Sequence, residues 1–282
     1  MDADFPTRLA RIAEIYDKRA PGYDQENNFH ARQAADFLGW MELKPGHCVL
    51  DLACGTGAVT IPSKRIVGQV GTVVGVDISN ESLRIASQKA EKQYLDIAFI
   101  HHDVGSLGGT GLEQGTFDVI TCAAAFVLLE NPEAAVADWS RYLKPGGKII
   151  FDVLTKNTMI SSYLMDVVGT RMHIPLPFQR TPCSSQEAVQ KLLEGAGLDS
   201  SQSFLSESYE STLLDVNDAG EIYLTTIMRQ NWAETVFSGF RDPQVQESAK
   251  EMFCDEFKKL ADAEGKVHEE RRFHMAVGVK KA

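Results

Sequence analysis

Residues 49–60 read VLDLACGTGAVT, a short apolar run that leads into a turn of small residues. The run is continuous in its apolarity apart from Asp51, and this is typical of a strand buried on both faces of a parallel sheet. Gly55 and Gly57 follow it. Glycine suits a tight backbone bend and lets a ligand come close to the main chain. The stretch therefore predicts a strand, a binding turn and the start of a helix.

Further apolar runs follow this stretch and alternate with amphipathic helical patterns. With the first run they predict five strands, at 48–53, 72–77, 97–100, 117–122 and 148–153. Alternation of strands and helices defines an α/β fold with a parallel sheet. Two flanking regions, 5–40 and 205–265, have mainly helical patterns, and an apolar strand returns at 273–279.

An acidic residue at the end of the second predicted strand indicates a nucleoside ligand. Asp77 lies 22 positions after Gly55 (77 − 55), near the spacing of roughly 20 residues at which a carboxylate binds ribose hydroxyls. The dinucleotide pattern GxGxxG is incomplete, because Thr60 stands where its third glycine belongs. Asp51 would also repel a pyrophosphate, whereas it suits a ligand with a positively charged amino end. These departures argue against a nicotinamide dehydrogenase.

Five motifs in a fixed order give the chain a specific resemblance to class I S-adenosylmethionine-dependent methyltransferases, particularly their ubiquinone/menaquinone-type small-molecule branch. The resemblance is strong over about residues 10–155, roughly half of the chain. Ala53 replaces the first glycine of the family's first motif, a common variant. The matching segments are Asp51 to Gly57, Asp77-Ile78, His102-Asp103-Val104, Phe117-Asp118 and Leu143 to Lys148.

The resemblance implies a Rossmann-like, mostly parallel sheet of seven strands, with S-adenosyl-L-methionine as the cofactor. It implies a helical lid over 1–40 and a methyltransferase domain over 41–282, with a helical substrate cap inserted at about 205–265. Within this scheme Asp77 holds the ribose, while Ile78 and Asp103 contact the adenine. The residues expected to bind the cofactor are Tyr16, Tyr23, Asp51, Ala53, Gly55, Gly57, Asp77, Ile78, Asp103, Val104 and Cys122.

The segment from Tyr16 to Asp24 resembles the part of these enzymes that folds over the cofactor. Two tyrosines around the Pro21-Gly22 break could form a movable cover that excludes water. The same tyrosines could instead be half-buried packing residues.

The methyl donor is already activated, so the protein must mainly align the acceptor and exclude water. A general base is needed only where the acceptor keeps its proton, as a phenol or alcohol does. His30 and His173 are the catalytic candidates, because they lie in regions that face substrate in the resembled family. A surface or hydrogen-bonded histidine is the alternative for each.

We expect methyl transfer to a small, largely apolar metabolite, with O-methylation ahead of N-, C- or S-methylation. The residues after the fourth strand, Cys122-Ala-Ala-Ala-Phe126, lack the Asn/Asp-Pro-Pro-Tyr segment of adenine and glutamine methyltransferases. A regulatory or interaction protein that binds the cofactor without turnover is the second hypothesis. Apolar side chains of the two later segments could form either substrate walls or core: Tyr163, Met165, Met172, Phe178, Met228, Trp232, Phe237 and Phe240.

Composition excludes several other classes of protein. The formal net charge is −11, and the basic residues are scattered, so nucleic acid is not expected as a partner. The longest nearly apolar run, 119–129, is too short to span a bilayer, and no secretory signal is evident, so we expect a cytoplasmic protein without membrane association. The five cysteines have no CxxC spacing, and we expect no metal site. Oligomeric state is not predicted.

Overall fold

A computed structural model of the chain describes residues 8–25, 29–180, 185–228 and 232–281. Within these ranges the strands fall into a large sheet and a small two-stranded one. The strands are β1 (Cys48–Leu52), β2 (Thr72–Asp77), β3 (Ala98–His101), β4 (Phe117–Cys122), β5 (Leu143–Leu154), β6 (Leu198–Asp199), β7 (Phe204–Leu205), β8 (Ser211–Asp215), β9 (Lys266–Glu270) and β10 (Phe273–Lys280).

The large sheet has the order β3-β2-β1-β4-β5-β10-β6, and β7 also pairs with β10. Strands β1 to β5 are mutually parallel, whereas β10 is antiparallel to β5. The short strands β6 and β7 share the outer edge of β10. The predicted α/β, mostly parallel, Rossmann-like sheet is confirmed, with β7 as an eighth strand.

Helices cover both faces of this sheet and continue beyond it. They are α1 (Arg8–Arg19), α2 (Phe29–Met41), α3 (Thr60–Val67), α4 (Asn80–Glu91), α5 (Pro132–Tyr142), α6 (Ile160–Met172), α7 (Gln186–Gly195), α8 (Ala219–Met228), α9 (Trp232–Val236) and α10 (Pro243–Lys258). One face packs against α5 and α7 through Trp139 and Leu193, which are fully buried. The other packs against α2, with Phe37 and Met41 fully buried.

Helix α2 is therefore an integral layer of the sandwich. In front of it, α1 and a 3₁₀ helix at Ala20–Gln25 lie across the carboxyl ends of the strands. We call residues 8–25 the N-terminal cover. Its proline-glycine break is accommodated by the 3₁₀ helix that follows α1.

The expectation that 205–265 is mainly helical is only partly correct. Helices α8 to α10 lie there, but 211–215 forms β8 and pairs antiparallel with β9. Most side chains of these two strands are exposed or half-buried, so neither strand has the apolar pattern that marks a buried one. The small sheet closes the base of the helical insertion.

The insertion has its own hydrophobic core, built from α6, α8 and α10 and joined by Ile15 of the cover. Met165, Tyr223 and Phe240 are fully buried within it. None of these three side chains lines a cavity at the carboxyl ends of the parallel strands, so their helical spacing marks packing positions rather than a substrate wall. The side chain of Trp232 lies outside the described residues.

Candidate functional site

The turn after β1 has three residues in the left-handed backbone region. Ala53, Gly55 and Gly57 have φ angles of 52°, 53° and 88°. Alanine is strained in this region and glycine is not. A Cβ on Gly57 would lie 3.0 Å from Ile61 Cδ1, whereas one on Gly55 would meet no atom within 4 Å. Gly57 thus allows the turn to pack on α3, and Gly55 keeps open space above the turn.

That open space belongs to a cavity of about 290 Å³ at the carboxyl ends of the parallel strands, which we call cavity A. In an open α/β sheet this edge is where ligands bind. Eight of the eleven predicted cofactor residues line it: Tyr16, Tyr23, Ala53, Gly55, Asp77, Ile78, Asp103 and Val104. The sequence-predicted positions from four separate segments thus meet in one space.

Asp77 is held rigidly at the end of β2 and is only 7% exposed. Its Oδ2 accepts a hydrogen bond from Gly55 N and its Oδ1 accepts one from Ser79 N, each at 2.8 Å. Burial raises the pKa of this carboxyl above its usual range, although bonds from backbone N–H groups oppose the shift. Asp77 therefore orients the glycine-rich turn as well as facing cavity A.

The opposite side of cavity A fits a nucleoside base. Asp103 Oδ1 accepts a hydrogen bond from Gly105 N at 2.9 Å, which fixes its carboxylate beside the apolar side chains of Ile78, Val104 and Leu129. Two carboxylates separated by an apolar slot match the ribose hydroxyls, the flat ring and the amino group of an adenosyl unit. The residues present therefore fit S-adenosylmethionine.

Three predicted cofactor residues, Asp51, Gly57 and Cys122, do not line the cavity. Asp51 is buried in β1, where it accepts a hydrogen bond from Thr60 Oγ1, and burial raises its pKa to about 7. Cys122 is fully buried in the sheet core. Thr60, which argued against a dinucleotide pattern, thus serves as the donor to Asp51, so this carboxylate is occupied within the fold.

The N-terminal cover is attached to the glycine-rich turn and to α4. Asp24 Oδ1 accepts a hydrogen bond from Thr56 Oγ1 at 2.6 Å, and Lys89 Nζ contacts both Asp24 and the carbonyl of Thr56. Further along, Asp17 Oδ1 accepts from Ser79 Oγ at 2.7 Å and from Glu81 N at 3.0 Å. These contacts close the cover over cavity A.

A second cavity of about 560 Å³, cavity B, lies next to cavity A beneath the same cover. The two share six lining residues: Ile12, Tyr16, Tyr23, Ala124, Ala125 and Leu128. Cavity B also reaches the insertion through Val236 and the segment between α6 and α7 through Phe178. Of the apolar residues predicted to contact substrate, Phe178 is the one that the described structure places here.

Cavity B is mainly apolar but contains charged groups at fixed positions. Asp152 of β5 is 4% exposed, and Arg180 is also 4% exposed. Arg180 donates to the carbonyls of Thr155 and Thr158 at 2.9 and 2.6 Å, and burial lowers its pKa to about 10. Arg19 and Arg271 also line cavity B. An apolar molecule with a polar or acidic end would suit this lining.

The two predicted catalytic histidines differ in position. His30 lines cavity B, where its ring stacks on Tyr23 with 5.0 Å between centroids. His173 ends α6 with a φ of 56° and lies on the wall of neither cavity. Because that position keeps it away from both spaces, His173 is not retained as a catalytic candidate.

Sequence reasoning missed Asp152 and Arg180. A signal for Asp152 was present, because it is the one charged residue in the apolar run Ile149-Ile-Phe-Asp152-Val153. A carboxylate inside a strand buried on both faces is costly unless it is hydrogen-bonded, so its presence could have marked the position for attention. Arg180 has no comparable signal, since its burial depends on the distant packing of α6.

Comparisons with known proteins agree with this geometry. Residues 49–147 match a family described as "Methyltransferase domain". A demethylmenaquinone methyltransferase of Bacillus cereus is 27% identical over 211 residues, which span 73% of this chain and 87% of the relative. The fold resembles that of a putative methyltransferase from Bacillus halodurans, with a TM-score of 0.58 and 18% identity over 89% of this chain and 100% of that one.

A second solved structure is a putative methyltransferase of Haloferax volcanii in complex with the methyltransferase activator Trm112. It gives a TM-score of 0.56 and 18% identity, covering 95% of this chain and 98% of that one. The chain is a class I S-adenosylmethionine-dependent methyltransferase, an enzyme whose cofactor is S-adenosyl-L-methionine. The similarity to a demethylmenaquinone methyltransferase supports the ubiquinone/menaquinone-type branch of that class.

Among the described residues, no helix is both long and apolar enough to cross a bilayer. Over the same ranges, no cluster of three or more His, Cys, Asp or Glu side chains is arranged to hold a metal ion.

Proposed function

We propose that this enzyme methylates a hydroxyl oxygen of a small, largely apolar aromatic molecule bound in cavity B. The observation that carries the proposal is the shared wall at Ala124 and Ala125, which borders both cavities. A methyl group presented from cavity A would pass this wall to reach an acceptor in cavity B. The small alanine side chains leave space for that passage.

The roles of the site residues are part of this proposal. Asp77 holds the ribose hydroxyls, Asp103 and Ile78 hold the adenine, and Gly55 lets the cofactor approach the turn. Tyr16 and Tyr23, which line both cavities, keep water from the reacting atoms. The bound cofactor supplies an activated methyl group, and the protein supplies alignment and a dry site.

Cavity B supports the acceptor class through its composition. Phe29, Phe178 and Phe273 give it aromatic walls, and Arg271 lies 4.6 Å from the Phe29 ring centre. Aromatic walls with a few fixed polar groups are typical of sites for ring-shaped metabolites. We infer that the partner is a small molecule, not nucleic acid or a membrane surface, and that the N-terminal cover and the helical insertion form the acceptor's surroundings.

Methylation of a ring carbon is the second candidate. It is favoured by the name of the Bacillus cereus relative, whose substrate is demethylmenaquinone, a molecule with a naphthoquinone ring. An ionised aromatic hydroxyl makes both its oxygen and the neighbouring ring carbon nucleophilic, so the same cavity could serve either outcome.

The test is incubation of the protein with methyl-labelled S-adenosylmethionine and a panel of naphthols, reduced naphthoquinones and aliphatic alcohols. Product analysis by mass spectrometry and NMR identifies the methylated atom. We expect labelled methyl ethers of the aromatic compounds. Carbon methylation would favour the second candidate, and cofactor binding with no methylated product would favour a protein that binds without turnover.

A further inference from the structure

We propose that Asp152 is a catalytic residue that takes the proton from the hydroxyl group of the acceptor. This inference deepens the proposed function and rests on it. Asp152 lies in β5, outside every motif of the family resemblance, and lines cavity B beside the shared wall.

The position of Asp152 follows from the strand. Along β5 the side chains alternate, so that Phe151 and Val153 pack into the core shared with α5 while Ile150 faces the α2 side. Asp152 therefore also faces the α2 side, where neighbouring positions are apolar. A buried carboxylate at this position would reduce the stability of the fold unless it is hydrogen-bonded.

Two hydrogen bonds aim the carboxylate at the junction of the cavities. Asp152 Oδ1 accepts from Ala124 N at 2.6 Å, and Oδ2 lies 3.3 Å from the donor Gln33 Nε2. Ala124 has a φ of 57°, a strained conformation for alanine, and lines both cavities. Asp152 is thus hydrogen-bonded directly to Ala124, which forms part of the wall that the methyl group must pass.

The electrostatic surroundings suit a proton acceptor. Burial raises the pKa of Asp152 to about 6, while the bonds from Ala124 N and Gln33 oppose the shift. A base whose pKa lies near the working pH is mostly ionised yet holds a proton well. The charged or titratable groups around it are Tyr16, Arg19, Tyr23, His30, Arg180 and Arg271 on the cavity wall, with Cys122 of β4 and Tyr209 within electrostatic range.

In the proposed transfer two bonds break and two bonds form. The O–H bond of the acceptor breaks and its proton passes to the Asp152 carboxylate. The oxygen forms a bond to the methyl carbon as the carbon–sulfur bond breaks, and the electron pair of that bond stays on sulfur in the product S-adenosylhomocysteine. Asp152 afterwards releases its proton to water. For a ring-carbon acceptor, the same loss of the hydroxyl proton activates the ring.

The test compares Asp152→Asn with the unchanged protein on two probes, 1-naphthol and 4-nitro-1-naphthol. Asparagine keeps an oxygen for Ala124 N, and the amide of Gln33 can rotate to match it. Asp118→Asn is the control, because Asp118 also accepts from a backbone N–H, that of Cys48 at 2.7 Å, and from Lys144 Nζ at 2.8 Å, but lines neither cavity.

We expect Asp152→Asn to lower kcat/KM for 1-naphthol about a hundredfold or more, the usual contribution of a general base. The nitro compound is already ionised at neutral pH and should be methylated within about threefold of the normal rate. Because burial raises the pKa of Asp152 to about 6, we expect the 1-naphthol pH profile of the unchanged protein to have an acidic limb near pH 6, and this limb should disappear in the variant. Asp118→Asn should behave as the unchanged protein does.

Equal losses on both probes, with the acidic limb retained, would overturn the role of Asp152 and leave the proposed function intact. Methylation of neither naphthol by the unchanged protein would overturn the proposed acceptor class, and the inference with it. Binding of S-adenosylhomocysteine, measured by calorimetry on each variant, shows whether cavity A is undisturbed.

Discussion

Asp24→Ala is expected to release the N-terminal cover from the glycine-rich turn. Asp24 accepts from Thr56 Oγ1 and pairs with Lys89, and both contacts join the cover to the walls of cavity A. The substitution removes them together. Asp17 keeps its bonds to Ser79 and Glu81, so the cover should loosen at one end rather than detach.

The solvent exposure of each contact of Asp24 determines how much free energy it contributes to closing the cover. The bond between Thr56 and Asp24 is partly buried, and a hydrogen bond to a charged group of this kind contributes about 1.5 kcal/mol. The side chains of Lys89 and Asp24 are 33% and 45% exposed, so solvent screening limits their ion pair to about 0.5 kcal/mol. The sum of about 2 kcal/mol corresponds to a roughly 30-fold larger ratio of open to closed cover.

Hydrogen exchange of the backbone amides over 8–25 measures this ratio. We expect exchange up to about 30-fold faster in Asp24→Ala, and slower exchange again once S-adenosylhomocysteine is bound. Glu14→Ala is the control, because Glu14 pairs with exposed Lys18 on the same helix. Unchanged exchange in Asp24→Ala would show that these contacts do not hold the cover and that Tyr16 and Tyr23 act as packing residues.

Three further predictions concern the cofactor, metals and pH. Asp77→Ala should weaken binding of S-adenosylhomocysteine at least about tenfold by calorimetry, because charge-assisted bonds to the ribose are lost. The unchanged protein should show no heat with NAD. Equal affinity of the variant and the unchanged protein for S-adenosylhomocysteine would refute the assignment of Asp77. Turnover should survive excess EDTA, since the donor is already activated, whereas loss on chelation with recovery in magnesium would reveal a metal site. Burial raises the pKa of Asp51 to about 7, so the folded state keeps it neutral at pH 5. The free energy of unfolding therefore falls as pH rises from about 4 to about 7, by at most about 4 kcal/mol in all and about 3 kcal/mol between pH 5 and pH 8. Asp51→Asn stays neutral and should show a smaller fall in denaturation at pH 5 and pH 8; an equal fall would place the titration elsewhere.

The parallel core could be predicted because its signals are local. Continuous apolarity marked β1, β2 and β4 to within one residue of their observed ends, since both faces of a central strand are buried. The spacing of Gly55 and Asp77 also survives in the structure as a direct hydrogen bond. Local sequence therefore predicts a strand or helix correctly where the element's own pattern of apolar residues stabilises it.

Contacts between distant parts of the chain could not be predicted in this way. The pairing of Ser211 with Glu270 joins two polar strands that have no pattern of their own. Cavity B likewise forms only when the cover, β5 and the insertion meet. Whether the apolar residues of the two later segments belong to core or pocket was decided by tertiary packing, which buried Met165 and Phe240 completely.

A crystal structure of the protein with S-adenosylhomocysteine tests the assignment of the two cavities most directly. The account predicts the nucleoside in cavity A, with the ribose hydroxyls on Asp77 and the adenine beside Ile78 and Asp103. The sulfur should point toward Ala124, at the wall shared with cavity B. A nucleoside bound elsewhere, or a sulfur directed away from cavity B, would contradict the account.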